Sequence, residues 1–116
     1  MKQNKETPTI AEMSEVVAKY MGLEISKNMY GDTYSELHNG DTIFHRHIPS
    51  CDWLHEVWEK VREEEEIEKS LPTHLFTIIT ARFLYGTPFE ILTALYNCII
   101  FINQLKQQAN GKHSNI

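Results

Sequence analysis

Thr33-Tyr34-Ser35-Glu36-Leu37-His38-Asn39-Gly40-Asp41-Thr42-Ile43-Phe44-His45 is the stretch on which the fold turns. Asn39-Gly40 tolerates positive φ at both positions and is the strongest short hairpin signal a sequence offers. Thr33–His38 and Thr42–His45 are therefore predicted to pair as antiparallel strands around a type I′ turn. Upstream, Leu23-Glu24-Ile25-Ser26 alternates and Gly31-Asp32 offers another turn. Residues 23–46 thus read as a three-stranded antiparallel meander.

Helices are expected on both sides of it. Thr9-Ile10-Ala11-Glu12 fits a capping box, and Ile10, Met13, Val16, Val17, Tyr20 and Met21 recur at helical spacing before Gly22, which suits a left-handed stop. After the meander, Pro49 ends the strand and Ser50 caps a helix from Cys51 to about Lys69, with Leu54, Val57, Trp58 and Val61 as its apolar stripe. Pro72 terminates that helix. Residues 74–83 suit either state: Phe76, Ile79 and Phe83 have helical spacing, while the β-branched content favours a strand, and a strand is predicted. Thr87-Pro88-Phe89-Glu90 opens the last helix with a second capping box and Pro at the first helical position, and that helix is expected to reach about Gln107.

The expected fold is α+β in two layers: a small antiparallel sheet of three to four strands against three helices, in the order α-β-β-β-α-β-α. The last helix is central and the first two flank it. Residues 1–8 and 108–116 are expected to be flexible tails around a single domain at 9–107.

A chain of 116 residues suits one domain. Its 41% hydrophobic and 23% charged content argues against wholesale disorder. The formal net charge of −5 is concentrated on the second helix. Asp52, Glu56, Glu59, Glu63, Glu64, Glu65, Glu66 and Glu68 there outweigh Lys60, Arg62 and Lys69. Clustered cations for a phosphate backbone are missing, so nucleic acid is not an expected partner. Two cysteines, Cys51 and Cys98, are too few for a disulfide framework, and Met1-Lys2-Gln3-Asn4-Lys5-Glu6 lacks an apolar leader core. A cytoplasmic setting is the expectation. The apolar run Phe89–Ile102 is read as too short to span a bilayer, so no membrane association is expected.

At Cys51-Asp52-Trp53-Leu54-His55-Glu56-Val57-Trp58-Glu59-Lys60-Val61 the chain resembles a group of small uncharacterised proteins of Bacteroides-type bacteria and their phages. Those proteins pair a Trp-Asp-Trp-Leu-Met-Pro-Val-Val-Glu-Lys-Ile-like stretch with a C-terminal helix of the type Ile-Glu-Ala-Val-Tyr-x-Ala-Val-Val-Glu-Phe-Ile. Asp52, Trp53, Leu54, Val57, Glu59 and Lys60 match the first stretch, and Phe89–Ile102 echoes the second. The similarity runs in order over residues 10–105, with Cys51 in place of the first Trp and His55-Glu56 in place of Met-Pro. The resemblance implies a small α+β fold and a mobile-element origin, and it carries no activity.

No active site is legible. His45, His47, Cys51 and His55 are the candidate metal ligands: Cys51 and His55 stand at i,i+4 on one helix face and His45 and His47 on one strand face. Zinc accepts such a donor set, but no established finger spacing is present, and the plainer reading is surface histidines around a helix start. Cys51, at a helix N-terminus with His47 or His55 as base, is a candidate nucleophile without an orienting third group. No cofactor is expected. Glu63–Glu66 reads as a solvated face relieved by Lys60–Glu64 and Glu65–Lys69 pairs, with an acidic recognition surface as the alternative. Trp53 and Trp58 lie about 140° apart around the helix, one expected in the core and the other half exposed.

On the last helix Glu90, Thr93, Asn97 and Gln104 form one narrow polar stripe and the rest is apolar, which calls for cover from neighbouring helices or a second subunit. Three functions follow as expectations. The first is a non-enzymatic interaction or regulatory protein acting through a protein partner or self-association. The second is an acidic inhibitor or nucleic-acid mimic on a basic protein. The third is a small metal-binding or hydrolytic domain using His45, His47, Cys51 and His55.

Overall fold

A computed structural model describes residues 8–68 and 72–114, with side chains placed over 8–64 and 72–107. Its elements are α1 (Ile10–Tyr20), β1 (Ser26–Lys27), β2 (Thr33–Glu36), β3 (Thr42–Phe44), α2 (Cys51–Glu68), α3 (Thr73–Tyr85) and α4 (Pro88–Ser114). A small antiparallel sheet lies against helices, the α+β arrangement the sequence implies. Residues 1–7 and 115–116 of the expected tails lie outside the described residues.

The local signals that set α1 act as anticipated. Thr9 Oγ1 accepts from the Glu12 amide at 3.1 Å while Glu12 Oε1 accepts from the Thr9 amide at 2.8 Å. At the other end Leu23 N–H donates to Ala18 O and Gly22 N–H to Lys19 O, each at 3.0 Å, with Gly22 at φ 83°. This pair of bonds closes a helix on a left-handed residue that only glycine adopts without strain. Ser50 Oγ accepts from the Trp53 amide to start α2, and Thr87 with Glu90 forms the second capping box before α4.

The strands pair in the order β1-β2-β3, with Ser26 opposite Tyr34 and Tyr34 opposite Phe44. The turn differs from a two-residue type I′ hairpin. Leu37 N–H donates to Asp41 O at 2.8 Å and Gly40 N–H to Leu37 O at 3.0 Å, closing the loop over His38, Asn39 and Gly40, with Gly40 at φ 94°. Asn39 Oδ1 accepts from the Asp41 amide, so its side chain braces the longer loop.

Residues 74–83, expected as a strand, are helical within α3. Leu75 N–H reaches Pro72 O at 3.1 Å and starts a turn that the fixed proline φ favours. Over the helix Leu75, Phe76, Ile79 and Phe83 then fall on the face that packs inward. The β-branched residues that suggested a strand are accommodated: Ile78 points outward and Thr77 Oγ1 donates to Thr73 O at 3.3 Å. Burial of a helical face outweighs a propensity difference of a few tenths of a kcal/mol per residue. The order is therefore α-β-β-β-α-α-α.

α4 is the hub, meeting α1, α2 and α3. Its Ile91, Leu92, Leu95, Cys98, Ile99 and Ile102 are buried together with Met13, Val17, Leu54, Val57, Val61 and Ile79. Its helical backbone continues past the expected end near Gln107 to Ser114, through residues of good helix propensity such as Gln107, Gln108 and Ala109. At this length Pro88–Gln107 is long and apolar enough to cross a membrane by length and composition. The expectation that shortness excludes a span does not hold, although this helix is the one around which the others pack.

Candidate functional site

Antiparallel pairing sends Thr33, Ser35, Ile43 and His45 to the inner face of the meander and Tyr34, Phe44, Glu36 and Thr42 to the outer face. The ladder extends one step beyond β3, because His45 N–H donates to Thr33 O at 3.0 Å. Only Ile43 on the inner face is a core hydrocarbon. The aromatic pair Tyr34–Phe44, with ring centroids 6.0 Å apart, sits outside.

His45 is fully buried, and both ring nitrogens are engaged. Nδ1 lies 2.6 Å from Ser14 Oγ on α1, and Nε2 lies 2.8 Å from Ser35 Oγ on β2. Ser14 is fully buried and Ser35 nearly so. The tautomer follows from the next link. Ser35 Oγ is 2.7 Å from Glu24 O, a carbonyl that can only accept, so the Ser35 hydroxyl spends its proton there. Ser35 must then accept from His45 Nε2–H, which leaves Nδ1 to accept from Ser14. The network runs in one direction from Ser14 through His45 and Ser35 to the Glu24 carbonyl. Burial pushes the His45 imidazole below its usual value, with the Glu15 carboxylate pulling weakly the other way. Glu15 also accepts from Thr33 Oγ1 at 2.6 Å, a second tie between α1 and β2.

A serine hydroxyl donating to a histidine has the outline of a nucleophile and its base. Here both groups are sealed from solvent, so no substrate reaches them. The pair joins a helix to a sheet.

The residues singled out in the sequence do not converge. His45 faces inward with both nitrogens used. His47, expected on the same strand face, lies beyond β3 in a turn where its N–H donates to Phe44 O, and its ring accepts from Arg46 Nε at 3.3 Å. Cys51 is exposed at the first position of α2. His55 stacks on Phe83 of α3 with centroids 4.3 Å apart. Among the described residues no group of three or more His, Cys, Asp or Glu side chains is placed to hold a metal ion. Nor does any hydrogen bond among them join Cys51 to a histidine.

The two tryptophans divide as expected: Trp53 is buried, while half-buried Trp58 meets Phe76 at 5.2 Å and Phe83 at 6.4 Å. On α2, Asp52, Glu56, Glu59 and Glu63 are all exposed, and their spacing puts them on one stripe. Lys60 and Glu64 both turn to Tyr20 of α1: Lys60 Nζ is 5.2 Å from its ring centre, and Glu64 Oε1 accepts its hydroxyl at 2.7 Å. The expected Glu65–Lys69 pair lies outside the described side chains.

The remaining surface of note is apolar. Leu84 and Tyr85 on α3 are 68% and 87% exposed, and Ile78 and Phe89 border a solvent-open groove between α3 and α4 that Arg82, Glu90, Thr93, Ala94 and Asn97 also line. At the β1–β2 turn Met29 and Tyr30 protrude over a tight frame in which Asn28 Oδ1 accepts from the Tyr30 and Asp32 amides.

No family model, curated protein or solved structure matches the chain.

Proposed function

We propose that this protein acts by contact, as a non-enzymatic interaction or regulatory protein, and that its working face is the α3–α4 edge. The observation that carries this reading is the exposure of Ile78, Leu84, Tyr85 and Phe89 on and beside one helical hairpin. Neighbouring α4 residues are fully covered by α1 and α2, whereas this edge has no cover within the described residues. Large apolar side chains at the rim of a groove are the usual composition of a protein contact. The partner is either another protein or a second copy, and a mobile-element source is what the resemblance adds.

The test is a double substitution, Ile78→Lys with Tyr85→Lys. Both positions are solvent-facing, so the melting temperature is expected to stay nearly constant while association is lost. Association is measured by light scattering across a concentration series and by capture of partners from a cell extract. Unaltered self-association and an unaltered captured set would remove this edge as the contact face.

The exposed stripe Asp52–Glu56–Glu59–Glu63 supports a second reading, an acidic surface that occupies a basic groove of another protein. Binding of that kind weakens steeply with salt, whereas binding through the apolar edge does not.

A further inference from the structure

Of the fifteen buried hydrophobic residues among those described, only Ile43 comes from the meander, where Leu23, Ile25 and Leu37 are partly buried against the core. The helices hold one another through α4, while the meander meets the core through these few side chains and is tied to α1 by two polar bonds, Ser14–His45 and Glu15–Thr33. As bonded, the first of these has a neutral ring. Ser35 Oγ has committed its proton to Glu24 O, and Nδ1 of His45 is the bare nitrogen that receives the Ser14 hydroxyl.

We propose that His45 is a proton-operated latch, and that a second proton on its ring releases the meander from α1 while the four helices stay packed. A proton on Nδ1 would face Ser14 Oγ, now 2.6 Å away as the donor. The Ser14 hydroxyl would have to swing toward the carbonyl one turn back in its own helix, a bond that serines in helices do make. The ring would then hold a full charge in a site closed to solvent. The charged group facing it from α1 is Glu15, already bonded to Thr33; β2 contributes only the neutral Thr33 and Ser35. On its own segment the neighbouring Arg46 is turned outward to Asp32 at 3.4 Å. One carboxylate offsets the burial only in part, so the charged ring is more stable in water. Reaching water requires the meander to open.

The test is amide hydrogen exchange on the full chain at pH 7.5 and pH 5.5, corrected for the intrinsic pH dependence of exchange. Exchange at the β2 and β3 ladder amides is expected to rise by up to about tenfold between the two, as the opened ring takes its proton near 6.5. Exchange in α4 is expected to stay level. In His45→Gln the pH response of the ladder should vanish. Should that variant fail to fold, the ring proton signal of His45 in the unmodified chain decides instead. A ring that takes its proton with the ladder amides still protected overturns the proposal, as does a pH response shared equally by α4 or retained in His45→Gln. Glu15→Gln supplies an independent arm: loss of the only offsetting charge should deepen the acid response of the ladder, and a shallower response counts against the latch.

Discussion

Because the direction of the buried network is determined, the two serines that flank His45 should not be equivalent. Ser14→Ala removes a donor and leaves one buried acceptor, His45 Nδ1, without a partner. Leaving a buried polar atom unpaired costs about 1–3 kcal/mol. Alanine returns about 0.5 kcal/mol through its better helix propensity in α1. The expected loss is about 1–2 kcal/mol. Ser35→Ala strands the buried His45 Nε2–H, takes the donor from the part-buried Glu24 carbonyl, and gains nothing from propensity in a strand. Its expected loss is about 2–4 kcal/mol. Moving the ring proton to the other nitrogen does not rescue it, because Nε2 then faces the alanine as an unpaired acceptor. The double variant should cost less than the sum, since both substitutions act through the same ring. Equilibrium urea unfolding at pH 7.5 measures all three, with the denaturant slope as a check that the unfolded state is unchanged. If Ser14→Ala proves as costly as Ser35→Ala, or either is neutral, the assigned direction of the chain of bonds is wrong.

Three further outcomes are expected. Leu95→Ala, at a fully buried position in the middle of α4, should lose about 2–5 kcal/mol in the same urea assay. Thr87→Ala removes the acceptor for the Glu90 amide and should cost about 1 kcal/mol, seen as a lower melting temperature with α4 otherwise intact by circular dichroism. Overall stability should fall as pH is lowered. The folded His45 binds its proton less readily than the unfolded one, so the unfolded chain takes up protons first below about 6.5, and stability is lost downward from there until the folded ring titrates too. Urea midpoints of the unmodified chain and His45→Gln, compared at pH 7.5 and 5.5, check the sign.

What could be read in the sequence was what is decided within one turn of chain. Both capping boxes and the glycine stop of α1 involve residues three to five apart in contact, and they stand where the pattern put them. α3 could not be settled that way, because a short apolar run with Thr77, Ile78, Ile79 and Thr80 satisfies two periods equally. What decides it is the face that Phe76, Ile79 and Phe83 bury against other helices. The hairpin was legible but its loop was not: Asn39-Gly40 marked the turn, while the bond from Leu37 to Asp41 set its length. The polar network was missed because its halves lie 31 residues apart. Two local hints existed. Ser14 interrupts the apolar face between Met13 and Val17, and His45 alternates with Ile43 toward the same side of a strand. In the sequence His45 reads as a candidate metal ligand, and the structure uses it as a spacer between two hydroxyls.

The central place of α4 also bears on the making of the chain. α1 is synthesised well before α4, the helix against which it packs. At translation rates of about 5–20 residues per second, Met13 and Val17 wait on the order of 5–20 s before Leu95, Ile99 and Ile102 emerge. The meander, whose pairs are close in sequence, forms in the interval and places a hydroxyl and an imidazole beside α1. A nascent chain of this topology therefore carries an uncovered apolar stripe on α1 until the middle turns of α4 emerge and end that exposure.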